Sequence, residues 1–283
     1  MDKVLVTGGA GFIGSALCKE LQTRGFSVIS VDNYFNASRD NHHEGIKYIE
    51  AHTRELGWLF SPEEMDEIKY IFHLGEYSRV EQSFDDYKKV MQYNYHAFPH
   101  LLAFAKQAKA KVIYAGSSTK FSIGDVGSSM SPYAYTKAQN TELLKNYDGW
   151  FGLDYSIAYF YNVYGKGEKA EGKYATVVAK FLDLKDKGEQ TLPVTAPGTQ
   201  LRNFTHIDDI VDALILIALK GSKEGYSIGS DEKYSIIDLV KLLDLNYELM
   251  PEKRGNRADG LCDSTNLKAL GWKPKNTLKG YLQ

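Results

Sequence analysis

Tyr133 and Lys137 stand four residues apart where Ser131-Pro132-Tyr133-Ala134-Tyr135-Thr136-Lys137 opens a helix. That spacing sets a phenol and an ammonium on one helical face. A free phenol has a pKa of about 10. A neighbouring ammonium, with a cationic ring beside it, favours the phenolate and draws that value toward neutrality. Tyr133 then reads as a general base that takes the proton of a hydroxyl while hydride leaves the same carbon. In a chain with 20 tyrosines this pair alone is unspecific. Ahead of it, however, Val112-Ile113-Tyr114-Ala115-Gly116-Ser117-Ser118 reads as a strand ending in hydroxyls, where Ser117 is placed to orient the reacting oxygen.

A departing hydride needs an acceptor, and the N-terminal sequence supplies a place for one. Gly8, Gly11 and Gly14 follow the strand Val4-Leu5-Val6-Thr7 and open a helix through Phe12 and Ile13. In that context glycines permit a tight turn and close backbone approach to a pyrophosphate, whose charge the helix N-terminus favours. Asp32, followed by Asn33, closes the next strand. A carboxylate there accepts ribose hydroxyls and repels a 2′-phosphate. No basic residue adjoins it before Arg39, so the reading is NAD rather than NADP.

The elements that position these groups alternate in type. Val28–Val31, Ile46–Glu50, Tyr70–Leu74, Val112–Ala115 and Tyr155–Tyr159 read as further strands, with helices expected over 12–23, 84–109 and 133–147. This is the pattern of a doubly wound parallel sheet, Rossmann-type, in an α/β fold. After about Gly165 the alternation ends. Helices are expected over 174–187, 207–219 and 236–243, a turn over Pro193–Gly198, and an irregular C-terminus. The expected division is an NAD-binding part over 1–165 plus about 200–225. A smaller, interleaved substrate-binding portion occupies about 166–199 and 226–283.

Bulk properties exclude several classes. The net charge is −2 with 43% hydrophobic and 25% charged residues and no basic block, which gives no footprint for nucleic acid or an anionic membrane. The apolar run Ala213–Leu219 is too short to span a bilayer, and Val4-Leu5-Val6 is no signal-peptide core. Two cysteines, Cys18 and Cys262, suit a reducing compartment, so a cytoplasmic location is expected. His42-His43 lacks a spaced third ligand and reads as a polar loop, with no metal expected.

Taken together these motifs resemble the extended short-chain dehydrogenase/reductase superfamily. Within it they resemble the NAD-dependent nucleotide-sugar epimerase/dehydratase family (UDP-galactose 4-epimerase-like), over nearly the whole chain. His73-Leu74-Gly75 matches the family motif after the fourth strand, and Asn94 its cofactor-site asparagine. Asn162-Val163-Tyr164-Gly165 resembles the substrate-facing loop, in which Asn162 approaches the diphosphate. Arg202-Asn203-Phe204-Thr205-His206-Ile207-Asp208-Asp209 resembles the segment whose arginine clamps that diphosphate. Leu270-Gly271-Trp272-Lys273-Pro274 resembles the closing motif. The resemblance implies a nucleotide-diphosphate sugar as substrate. It also implies a homodimer pairing the helices over 84–109 and 133–147, with Tyr93, Phe98, Leu101, Leu102 and Leu143 as apolar contacts or as residues facing the sheet.

Within the family, dehydratases carry an Asp-Glu pair after the position of Ser117, and decarboxylating members a glutamate at the position of Thr119. This chain reads Ser117-Ser118-Thr119-Lys120, which implies a 4-epimerase: transient oxidation at C4, a 4-keto sugar, and hydride return, with Ser118 or Thr119 sharing the work of Ser117. Glu76 stands where a small residue is usual, near the expected sugar. It reads either as a second acid/base, which reopens dehydration or reduction, or as an ion pair with Arg79 or a neighbouring lysine. Lys253-Arg254-Gly255-Asn256 replaces an Arg-x-Gly-Asp motif, leaving Lys253 and Arg254 as diphosphate ligands. A non-catalytic NAD sensor on the same fold is the remaining alternative.

Overall fold

The computed structural model describes residues 1–121, 130–252 and 262–283, with 120 and 121 by backbone alone. Strands β1 (Lys3–Thr7), β2 (Ser27–Asp32), β3 (Lys47–Glu50), β4 (Ile68–His73), β5 (Lys111–Ser117), β6 (Tyr155–Phe160) and β7 (Lys223–Ile228) form one sheet. Their order is β7-β6-β5-β4-β1-β2-β3, and every pairing is parallel. This is the expected Rossmann-type arrangement. Side chains alternate along each strand, so Val4 and Val6 enter one core while Leu5 enters the other. Helices α1 (Phe12–Thr23) and α5 (Ile207–Lys220) cover the first face. Helices α2 (Phe98–Ala108) and α3 (Pro132–Phe151) cover the second, and α4 (Val177–Asp186) and α6 (Ile236–Leu242) lie apart from both. The chain leaves β1 toward β2 on one side and returns to β4 on the other, which opens a crevice at their carboxyl ends.

The expected helix over 84–109 is broken. A turn at Tyr87–Val90 leads into a wide π-type turn at Met91–His96, and regular helix resumes only at Phe98. Pro99 has no N–H to donate back to the preceding turn, so an uninterrupted ladder cannot cross it. Such widened turns re-aim side chains, and here Asn94 is turned fully inward. The same packing corrects part of the expected dimer face: Phe98, Leu101 and Leu102 are buried against the sheet. Tyr93 packs on Phe35 and His52 instead of facing outward.

A third core gathers Tyr164, Phe181, Leu192, Leu239 and Leu278 from the later part of the chain. The expected turn at Pro193 is a strand, Thr191–Thr195, paired in parallel with Asn246–Met250. The latter strand is exposed along its whole length and so carries no alternation to read. The C-terminus is more ordered than expected, because Trp272 and Leu267 enter the core of the large sheet. The buried Asp209 carboxylate accepts the backbone N–H groups of Lys275 (2.9 Å) and Asn276 (3.0 Å). The Trp272 indole donates to the Asp209 carbonyl at 2.9 Å. Among the described residues, no helix is long and apolar enough to cross a membrane.

Candidate active site

A cavity of about 560 Å³ lies at the crevice between β1 and β4. Its floor is the glycine turn. Gly8 has a φ of +73°, and a Cβ there would lie 2.8 Å from the Gly75 backbone; one on Gly14 would lie 2.0 Å from the Gly8 carbonyl oxygen. Only hydrogen fits at either place, which lets the two loops cross and α1 start directly on the turn. Gly11 caps α1 without a side-chain acceptor. The N–H groups of Phe12 and Ile13 therefore have no intrahelical partner and border the cavity. Unpaired N–H groups at a helix N-terminus are a geometry that suits a phosphate.

Asp32 is buried at the end of β2 and accepts the N–H groups of Ala10 (3.0 Å) and Tyr34 (2.8 Å). Burial raises its carboxyl pKa, and those N–H donors oppose the shift. Arg39 does not serve it: the guanidinium stacks on Tyr34 and pairs with Glu50. Asn33 turns its amide oxygen to the Phe35 N–H (3.0 Å) and its nitrogen toward His52 (3.2 Å). Leu74 and Gly75 border the same cavity, and Gly75 N–H donates to Thr7 Oγ1 at 3.1 Å. The expected cofactor residues thus share one cavity, except Asn94. Its side chain is spent on the Tyr77 N–H (2.7 Å), the Tyr77 carbonyl (3.1 Å) and Thr136 (3.1 Å), so it ties the loop after β4 to α3. The expected cofactor contact of that side chain is replaced by this positioning role.

The opposite wall carries the hydroxyls. Ser131 caps α3 by accepting the Ala134 N–H at 3.1 Å, and Pro132 fits the first turn, where its missing N–H costs nothing. This sets Tyr133 on the cavity wall beside Ser117 at the end of β5. Ser117 Oγ accepts from the hydroxyl (2.9 Å) and N–H (3.3 Å) of Thr119. Its own proton is left for a ligand oxygen. Ser118 and Thr119 also border the cavity.

Lys137 is not free in the cavity. Its ammonium lies 6.0 Å from the Tyr133 ring centre, donates to the Ala115 carbonyl at 2.6 Å and pairs with Glu76 at 2.5 Å. Glu76 also accepts from Asn140 (2.7 Å), Tyr114 (3.1 Å) and the His73 ring (3.3 Å), and its side chain is 1% exposed. Burial opposes its ionisation, but the Lys137 charge and the bonds from His73 and Lys137 outweigh this and lower the carboxyl to about 2. The expectation of Glu76 as a sugar ligand or second acid/base is thereby revised. It is a buried ion-pair partner, and the partner is Lys137 rather than Arg79.

A second cavity adjoins the first and shares Ser118, Thr119 and Asn162 with it. Arg202 borders this second space. Asn162 adopts a φ of +25° and bonds the Asn203 carbonyl at 3.0 Å, fixing the wall between the two. Lys253 and Arg254 lie outside the described residues. His42 stacks on Tyr48 at 3.7 Å and His43 meets Ser15 at 2.9 Å, so each histidine has a protein partner.

Two features were not placed at the site by the sequence: Arg79 reads there only as a partner for Glu76, and the helix expected from 174 begins at Val177. Arg79 enters the cofactor cavity from the loop after β4. Residues 165–176 strap across it: Lys169 bonds Asn36, and Tyr174 packs on Phe35 and Tyr77 while its hydroxyl, with that of Tyr77, donates to Asp86. Neither follows a strand or helix period, so only the folded chain reveals them.

The model of the NAD dependent epimerase/dehydratase family matches residues 4–229. A putative UDP-glucose 4-epimerase of Methanocaldococcus jannaschii is 24% identical over 98% of this chain and 94% of its own. A UDP-N-acetyl-alpha-D-glucosaminuronate decarboxylase of Bacillus cytotoxicus is 29% identical over 84% and 78%. Among solved structures, the UDP-glucose 4-epimerase of Thermotoga maritima with UDP-glucose superposes with a TM-score of 0.88 at 27% identity, covering 99% of this chain and 96% of that one. Relatives at such identity include epimerases and decarboxylases, so they define the family and not the reaction. With a glycine turn at a helix N-terminus, a buried carboxylate at the end of β2 and a tyrosine wall around one cavity, the chain belongs to the NAD-dependent epimerase/dehydratase family, and its cofactor is NAD.

Proposed function

We propose that the protein is a nucleotide-sugar 4-epimerase. The observation that carries this reading is the strand end beside Tyr133, where Ser117, Ser118 and Thr119 border the cavity and the nearby Glu76 is locked in an ion pair. NAD, when bound, supplies the hydride acceptor and donor. Tyr133 removes the proton from the sugar O4 and gives it back to that oxygen when hydride has returned to the opposite face of C4, while Ser117 donates a hydrogen bond to the same oxygen. The Tyr133 hydroxyl has no hydrogen-bond partner among the described residues and is available for this task. Lys137 keeps one of its three donors for the cofactor, the other two being held by Ala115 and Glu76. Gly8, Gly11, Gly14 and the first N–H groups of α1 hold the pyrophosphate, and Asp32 the ribose. Asn162 and Arg202 receive the substrate diphosphate in the adjoining cavity, with Lys253 and Arg254 completing the grip. A separate nucleotide-sugar portion draws support from the third core, while Leu267 and Trp272 of the expected 226–283 segment pack on the large sheet instead. A homodimer draws support from Tyr95, Tyr135, Trp150 and Phe151, which stay exposed on the outer side of the helices.

Glu168 favours a second reading. It borders the cavity, burial raises its carboxyl, and its Oε1 is buried with no hydrogen-bond partner among the described residues. A carboxyl at that position suits a second acid/base and hence dehydration, with Glu168 in the role first considered for Glu76. Incubation with UDP-, GDP-, ADP- and dTDP-linked hexoses and hexuronates separates the two. A 4-epimerase converts one of them to its C4 epimer without added cofactor, whereas accumulation of a dehydrated keto sugar overturns the epimerase reading.

A further inference from the structure

The cofactor cavity holds a cation that the mechanism above does not use. Arg79 reaches it from the loop after β4, and its guanidinium bonds only neutral carbonyls: Tyr174 O from Nη2 (2.8 Å) and Nε (3.3 Å), and Ser78 O weakly from Nη1 (3.5 Å). It forms no ion pair among the described residues. The neighbouring carboxylates are committed elsewhere: Asp86 to Lys173, Tyr77 and Tyr174, and Glu76 to Lys137. Glu168 borders the same cavity and its field acts on Arg79, but no ion-pair contact joins the two among the described residues: Glu168 Oε2 accepts the Gly165 N–H at 2.9 Å, and Oε1 has no hydrogen-bond partner. Burial opposes the charge on Arg79, and Tyr133 is the first of the groups whose fields act on it. A half-buried guanidinium that borders the same cavity as Tyr133 and is offered only carbonyl acceptors is poised for an anion.

The position decides which anion. Pyrophosphate has the glycine cradle, and the substrate diphosphate has Arg202 beyond the wall of Ser118, Thr119 and Asn162. Arg79 lies on the Tyr133 side of that wall, where the sugar ring must sit for O4 to reach the phenol. We propose that Arg79 is a specificity residue that receives a carboxylate carried by the sugar, so that the substrate is a nucleotide-linked sugar acid rather than a neutral hexose. This rests on the nucleotide-sugar reading above, but not on which reaction follows C4 oxidation.

Binding tests it apart from turnover. In NAD-loaded Tyr133→Phe protein, Kd is measured for matched pairs of nucleotide hexuronates and hexoses (UDP-glucuronate with UDP-glucose, and the GDP, ADP and dTDP counterparts). The hexuronate of one pair is expected to bind about 10- to 100-fold tighter, the range of a charge-assisted hydrogen-bonded contact. Arg79→Gln, which keeps a donor to Tyr174 O, should abolish that preference while leaving neutral-sugar Kd and NAD content unchanged. Arg79→Lys should retain part of it. Equal affinity within every pair overturns the proposal, as does a preference that survives Arg79→Gln or a variant that loses NAD. A hexuronate preference without epimerisation of the wild-type protein supports Arg79 and overturns the epimerase reading alone.

Discussion

Tyr133→Phe should lower the turnover of nucleotide sugar by about 10²–10⁴-fold, the usual weight of a positioned acid/base, while NAD stays bound and the fold is unchanged. The substitution removes one oxygen from a side chain that is already on the cavity wall and has no hydrogen-bond partner among the described residues. No buried donor is orphaned by it. The loss should appear in kcat, with the nucleotide-sugar Kd nearly unchanged, since the phenol acts on the transferred proton more than on binding. Steady-state rates and a binding titration on the same preparation check both parts. Retention of wild-type turnover would assign the proton to another group.

The second large effect concerns stability. Glu76→Ala should destabilise the fold by about 3–5 kcal/mol, because it leaves the Lys137 ammonium buried without its carboxylate. Lys137 is 6% exposed, and Asn140, Tyr114 and His73 also lose their shared acceptor. Glu76→Gln keeps the shape and part of the hydrogen bonding, so it should cost less. Denaturant unfolding measures both. The pH dependence has a definite sign: the folded carboxyl lies at about 2 against an ordinary 4.5, so the native state holds Glu76 ionised where the unfolded chain takes up a proton. Its stabilisation is complete above about pH 4.5 and is lost as pH falls toward 2. In Glu76→Gln that slope should be absent. Loss of activity in Glu76→Ala with unchanged stability would restore Glu76 as an acid/base.

How far the sequence carried these conclusions depends on the kind of residue. The glycine turn, Asp32 and the Ser117–Tyr133–Lys137 set were legible because each is tied to the end of a strand or the start of a helix. Those boundaries follow from β-branched runs, caps and glycine. Helix α1 was read to its end residues. Asn94 was found as a residue, but its role was not: Pro99 and the wide turn before α2 decide where it points, and periodicity over 84–109 conceals that break. Glu76 was singled out as anomalous, yet its partner stands 61 positions on in sequence and comes close only when β4 and α3 meet at β5. Arg79 and the strap over 165–176 belong to irregular segments whose contacts have no period at all. The exposed strand Asn246–Met250 pairs through its backbone, and backbone pairing leaves no trace in side-chain hydrophobicity.

In the proposed 4-epimerase, one acid/base serves a reversible oxidation at C4 of a nucleotide sugar. The most direct test is a substrate carrying deuterium at C4, incubated with the NAD-containing protein in ordinary water and followed by NMR and mass spectrometry. The account predicts the C4 epimer with deuterium retained at C4 and no loss of water. Deuterium found at C6 of a dehydrated sugar, or exchanged into solvent, would contradict it.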